Sequence, residues 1–70
     1  MEYYAEYTIL IDDATWGRED YCFDADSEEE AKEIALEYEK SYIEVRDGRV
    51  KELLLDNIYD EEGNEIAWER

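Results

Sequence analysis

Between Tyr3 and Asp12 the chain alternates: Tyr3, Ala5, Tyr7, Ile9 and Ile11 take every second position, with Tyr4, Glu6, Thr8, Leu10 and Asp12 between them. Successive side chains of a β-strand point to opposite faces, so this spacing predicts a strand with one face in a core. The alternation resumes at Tyr21, Phe23 and Ala25. Asp13 to Asp20, with Gly17 inside it, reads as the hairpin connection, leaving strand two short and antiparallel to strand one.

At Ser27 the period changes. Ser27 followed three residues later by Glu30 is a capping box, in which the hydroxyl accepts from the Glu30 amide and the Glu30 carboxylate reaches back to the Ser27 amide. The apolar positions Ala31, Ile34, Ala35 and Tyr38, with Tyr42 at the end of the stripe, follow three/four spacing and predict an amphipathic helix. Glu28, Glu29, Glu33, Glu37 and Lys40 fall on the rest of the cylinder. Acids in the first turn and a lysine near the last complement the helix dipole.

Tyr42 to Arg46 reads as a third strand, joined to a fourth by Asp47-Gly48, the dipeptide a type I′ turn favours because both central residues need positive φ. Val50 to Tyr59 is expected as that fourth strand. Leu53, Leu54 and Leu55 in a row satisfy neither period and leave room for a bulge. Asp60 to Asn64 forms an acidic turn around Gly63, and Glu65 to Glu69 is expected as a last strand with Ile66 and Trp68 on one face. With no proline, linker or repeat, residues 1–70 make one α+β domain: a single antiparallel β-sheet with one α-helix packed on one face, in the order ββαβββ.

The chain carries 23 acidic and 7 basic residues, a formal charge of −16 on 70 residues. Disordered acidic segments lack aromatic and branched apolar residues, whereas this chain is 44% hydrophobic and 14% aromatic and should fold. A domain this small buries only about 60% of the surface its unfolded chain exposes, and self-repulsion reduces its stability further. Cys22 is alone, which gives no sign of an oxidising compartment. No basic-then-apolar leader opens the chain, and its longest apolar runs are three residues (Ile9 to Ile11, Leu53 to Leu55), against roughly 20 needed to span a bilayer. The expectation is a soluble, unprocessed cytoplasmic protein that engages no membrane.

Little in the sequence supports catalysis. There is no histidine, so neither a Ser-His-Asp nor a Cys-His arrangement can be built. Cys22, between Tyr21 and Phe23, reads as a small apolar strand residue, since activation to a thiolate needs a neighbouring cation. No glycine-rich phosphate loop is present. An EF-hand reading fails: Gly17 at the sixth position puts Ala14 and Trp16 at the third and fifth, and Gly63 there puts Ile58 at the first. Asp60, Glu61 and Glu62 offer at most an unspecific divalent site, and a paired-carboxylate glycosidase needs a sugar cleft that a domain this small hardly supplies. No enzyme activity, metal or cofactor is expected.

Small soluble domains function with net charge of magnitude about 2 to 8, so solubility alone does not account for −16; halophily is one alternative. Same-face residues on a strand lie roughly 6.6 Å apart, and acids one helical turn apart have Cβ atoms about 5–6 Å apart. Duplex DNA presents a charge about every 1.7 Å of its axis, or about 3.4 Å on one strand. A folded acidic surface can therefore approximate what a DNA-binding groove accepts. Three rows are candidates: Glu29, Glu33 and Glu37 on the helix with Glu28 and Glu39 beside them; Asp12, Asp13, Glu19 and Asp20 around the first hairpin; and Asp60, Glu61, Glu62 and Glu65 around the last turn. Trp16 fits the core pattern least and reads either as an exposed hot spot or as a ring folded over the sheet edge. Tyr4 and Tyr59 are expected on the solvent side, where phenols beside carboxylates can stack on arginine.

Length, charge, absence of cofactor motifs and the sheet-plus-helix layout, with Asp26-Ser27-Glu28-Glu29-Glu30-Ala31 opening the helix, resemble small acidic phage-encoded inhibitors. That class includes anti-CRISPR proteins and the uracil-DNA glycosylase inhibitor, many of which occupy the DNA site of their target. The resemblance implies a DNA mimic in the host cytoplasm whose partner is a basic nucleic-acid-binding enzyme such as a Cas effector, with no direct contact to nucleic acid. An acidic interaction module with another basic partner is the alternative.

Overall fold

The computed structural model describes residues 1–69. The elements are β1 (Glu2–Ile11), β2 (Ala14–Asp24), α1 (Glu28–Ser41), β3 (Glu44–Arg46) and β4 (Arg49–Asp60). The four strands form one antiparallel sheet in the order β2-β1-β4-β3. The alternation in β1 is realised as expected: Tyr3, Ala5, Tyr7 and Ile9 are buried, and the residues between them are not.

The first hairpin differs from expectation. Its loop is only Asp12 and Asp13, both at positive φ (51° and 66°), and β2 runs for 11 residues from Ala14. Aspartate tolerates the left-handed region because its short polar side chain bonds locally. Here the bond of Asp12 is not local but runs across the sheet end: its carboxylate accepts from the Val50 amide at 3.0 Å, and its own amide donates to the Val50 carbonyl at 2.9 Å. Gly17 therefore lies within a strand. The β1–β2 register passes from Ile9↔Gly17 to Leu10↔Thr15, which leaves Trp16 as the extra residue of a bulge.

Ser27 caps α1, accepting from the Glu30 amide at 3.1 Å, while the Glu30 carboxylate accepts from the amide of Asp26 rather than that of Ser27. Ala31 and Ala35 are fully buried and share one core with Tyr3, Ala5, Tyr7, Ile9, Leu53, Leu55 and Ile58. Alanines on the stripe let the helix backbone come close to the sheet, close enough that the Tyr7 hydroxyl donates to the Ala35 carbonyl at 2.7 Å. Tyr21 and Tyr38 stack with ring centroids 4.0 Å apart, extending this contact toward β2.

Strand three starts later than expected. Tyr42 caps the helix and Ile43 is exposed, so β3 has three residues. Asp47 (φ 52°) and Gly48 (φ 77°) make the expected tight turn. In β4 the register steps from Glu6↔Asn57 to Tyr7↔Leu55, so Asp56 is a bulge residue. This resolves the triple leucine: Leu53 and Leu55 point into the core, Leu54 points away, and the bulge restores Ile58 to the core.

The expected last strand is absent, and the order is ββαββ. Glu65 makes a single bridge to Tyr59, and Ile66 donates to the Ile58 carbonyl at 2.9 Å and is buried. Further along that edge of β4 the Glu39 carboxylate of the helix accepts from the Leu55 amide at 2.6 Å. Short β3, Glu39 and the Glu65–Ile66 segment together cover the edge of β4, a protection that edge strands require.

Candidate acidic interaction surfaces

Glu28, Glu29, Glu33 and Glu37 are all exposed on α1, as the helical spacing requires. Glu29 is ion-paired with Lys32 at 3.4 Å, a surface contact of little energetic weight. Glu39 does not join this row, because its carboxylate faces β4 and serves as a structural acceptor.

The row expected around the first hairpin does not exist as a unit, because Asp12 and Asp13 alone form the turn while Glu19 and Asp20 belong to the extended strand β2. Asp12 and Asp13 are at the tip, whereas Glu19 and Asp20 lie roughly 20 Å further along β2. Glu19 accepts from the Tyr38 hydroxyl at 2.7 Å on the helix side, and Asp20 is opposite Glu6 on the other side. Glu19 is the main cause of the rise of the Tyr38 phenol to about 12, with burial adding to it. Trp16, at the bulge, is 68% exposed; it does not fold over the sheet edge.

In the last turn, Asp60 acts as an anchor. Its carboxylate accepts from the Glu62 and Asn64 amides, both at 2.9 Å, and from the Asn64 side chain. The Asn64 amide is the largest cause holding this carboxyl below its ordinary value. Glu61 and Glu62 project into solvent. Asp60 pairs with Tyr3 at the end of the sheet where β2 runs out into the helix start, and the Tyr3 phenol there is raised by burial, with Glu28, Asp60 and Glu61 adding to the effect. Among the described residues no group of three or more His, Cys, Asp or Glu side chains is arranged to hold a metal ion.

Cations collect at the opposite end. Arg46, Arg49 and Lys51 line a cleft of about 600 Å³ with Ile11, Glu44 and Asp47. The Lys51 ammonium lies 5.5 Å from the Tyr42 ring centre, and Arg46 pairs with Glu44 at 3.2 Å. Sequence spacing shows these cations near one another but does not show which side of the sheet they share.

The side of the sheet turned away from α1 holds residues that the sequence reading did not group. Glu2, Tyr4, Glu6, Thr8 and Leu10 of β1 lie beside Asp24, Cys22, Asp20 and Arg18 of β2 and beside Tyr59, Asn57, Leu54 and Glu52 of β4. Tyr4 donates to Glu2, the main cause of its pKa near 12. Tyr4 is exposed as expected, while Tyr59 is half-buried. Cys22 is exposed, not tucked into an apolar layer, and its thiol is raised by desolvation and by Glu2. That environment disfavours the thiolate a nucleophile needs. The signal for this face was present in the even-numbered residues of β1, but the register that groups them with β2 and β4 depends on two bulges.

No helix among the described residues is long and apolar enough to cross a membrane. The sequence matches no family model, no curated protein and no solved structure.

Proposed function

We propose that this protein is an inhibitor that enters the basic nucleic-acid channel of a DNA-processing enzyme or CRISPR-Cas effector and blocks it by imitating the charge of DNA. The observation that carries this reading is a formal charge of −16 on a chain in which no charged side chain is buried among the described residues. The negative groups are thus displayed on a scaffold 39 Å long, about the length of one turn of duplex (~34–36 Å). A fixed array of carboxylates attracts the lysines and arginines that neutralise phosphates, and it loses less entropy on docking than a flexible acidic tail. The protein then acts in the cytoplasm where such an enzyme works, needs no cofactor and performs no catalysis of its own.

The test is displacement of a fluorescent duplex from a guide-loaded Cas effector, followed by polarisation at about 0.1 M salt. Displacement that weakens as salt rises supports the reading; an unchanged complex across a panel of DNA-binding enzymes refutes it. A second reading, an acidic interaction module for a basic partner that binds no DNA, is favoured by one observation. Trp16 and Val45 are 68% and 70% exposed, which charge imitation does not require.

A further inference from the structure

We infer that the face of the sheet turned away from α1 is the docking surface, and that its occupant is a cationic protein surface with apolar side chains at its centre. The inference rests on the proposed function and assigns the contact to one face. Four large apolar side chains on this face are open to solvent: Tyr4, Val50 and Leu54 at 40% each and Val45 at 70%. They are neighbours through the ladder. Val45 is opposite Val50, Leu54 is opposite Thr8, and Leu10 lies diagonally between Val50 and Leu54. Tyr4 is opposite Tyr59, which adds an aromatic pair toward the other end.

Carboxylates border this strip on the β2 side and interrupt it on β1 and β4. Glu2, Glu6, Asp20 and Asp24 lie on β1 and β2, and Glu52 and Asp56 on β4. Arg18 lies on the same face, 3.4 Å from Glu6. Apolar side chains interleaved with charged ones, with an aromatic pair among them, are features that protein interfaces share. The molecule measures 39 × 19 × 17 Å, so its broad side covers on the order of 700 Å², near the ~800 Å² each partner contributes to a standard interface.

Charge decides the occupant. Two copies meeting face to face would oppose the carboxylates of one to those of the other, and like charges across an interface are strongly unfavourable. The cations Arg46, Arg49 and Lys51 cannot relieve this, because they alternate onto the other side of the hairpin together with Ile11. Beside the helix row, Glu33 and Glu37 border a groove with Tyr21, Ile34 and Tyr38, but those three are only partly exposed and pack against the core, whereas Tyr4, Val45, Val50 and Leu54 stand open. Exposed charge of this kind governs the rate of approach more than the strength of the complex.

The test uses the whole chain, labelled with nitrogen-15, and a defined probe: a decapeptide alternating arginine and leucine. Amide shifts concentrated on Tyr4, Thr8, Cys22 and Leu54 are expected. Leu54→Ser with Val50→Ser should weaken binding at least about 10-fold, the effect of losing 1.4 kcal/mol, whereas Glu33→Gln with Glu37→Gln should weaken it less than about 3-fold. Cys22 is the chain's only cysteine, so a bulky maleimide there marks the same face without mutation and should block the peptide. Shifts on the helix row, shifts spread over all acids, or no binding would overturn the inference, as would a dimer in sedimentation that the Leu54→Ser/Val50→Ser pair dissociates. If the peptide maps to this face but no DNA is displaced from any effector, the docking surface stands and the inhibitor reading fails. The converse pattern separates the two in the other direction.

Discussion

Replacing Tyr7 by phenylalanine removes one oxygen from the centre of the molecule. Tyr7 is fully buried, its ring lies 5.4 Å from that of Tyr38, and its hydroxyl spans from β1 to the Ala35 carbonyl of α1. Phenylalanine keeps the ring and leaves behind a carbonyl placed to serve the helical ladder, so the cost is that of one neutral hydrogen bond, about 1 kcal/mol. With a urea m-value of roughly 1 kcal/mol/M for a domain this small, the midpoint should fall by about 1 M with an unchanged slope. Alkaline pH supplies a second arm. Burial pushes the folded Tyr7 phenol well above its ordinary value of 10.0, and nearby tyrosines and acids add to this. A raised folded pKa means stability that is fully present below about pH 10 and is lost as pH climbs through the folded value. In the unfolded chain Tyr7 ionises from pH 10, which by pH 10.5 removes about 0.8 kcal/mol from the wild type and nothing from Tyr7→Phe. The gap of about 1 kcal/mol at pH 7 should therefore shrink to a few tenths. Equal midpoints at pH 7, or a gap independent of pH, would refute the role given to this hydroxyl.

Ser27→Ala deletes the helix cap and should cost about 1 kcal/mol, read as a fall in Tm of roughly 4–8 °C. Gly48→Ala places a Cβ at φ +77° and should destabilise by about 1 kcal/mol, whereas Gly17→Ala, whose Cβ would meet only Ile9 at an ordinary 3.9 Å, should be neutral or slightly stabilising; thermal melts of the pair check the contrast. Asp60 has a depressed pKa, so its contribution is present above the unfolded carboxyl value and is lost as pH falls below about 4; Asp60→Ala should flatten that acid-side decline in urea midpoints measured from pH 6 to pH 3. Added salt should raise Tm by screening repulsion among the acids while weakening attachment to a basic partner, and a rise or fall in both would contradict the charge argument.

Local chemistry was enough to read the elements whose signals are local. The alternation from Tyr3 to Ile11, the Ser27 cap, the Ala31/Ile34/Ala35/Tyr38 stripe and the Asp47-Gly48 turn each depend on residues within a few positions, and each appears in the fold. The first hairpin departs from the expectation because a glycine is a stronger local turn signal than two aspartates. The Asp12-Asp13 turn is supported by Val50, which is 38 residues away. The expected last strand differs for a similar reason: Glu65 and Ile66 meet β4 at Tyr59 and Ile58, and further along that edge the Leu55 amide bonds Glu39 of the helix, a contact 16 residues apart in sequence.

Among the acids the division is the same. Sequence alone determined the sign and size of the surface charge and the outward position of Glu29, Glu33 and Glu37, because helical period and the cost of burying a charge leave no other arrangement. Tertiary structure decided which acids are spent on the fold: Asp12, Glu19, Glu39 and Asp60 all bind groups distant in sequence or turn backbone. It also decided which apolar residues remain uncovered, since a bulge at Trp16 and another at Asp56 reset the phase of β2 and β4. Strand phase is a property of pairing between chain segments, and a change of one residue in register exchanges the faces.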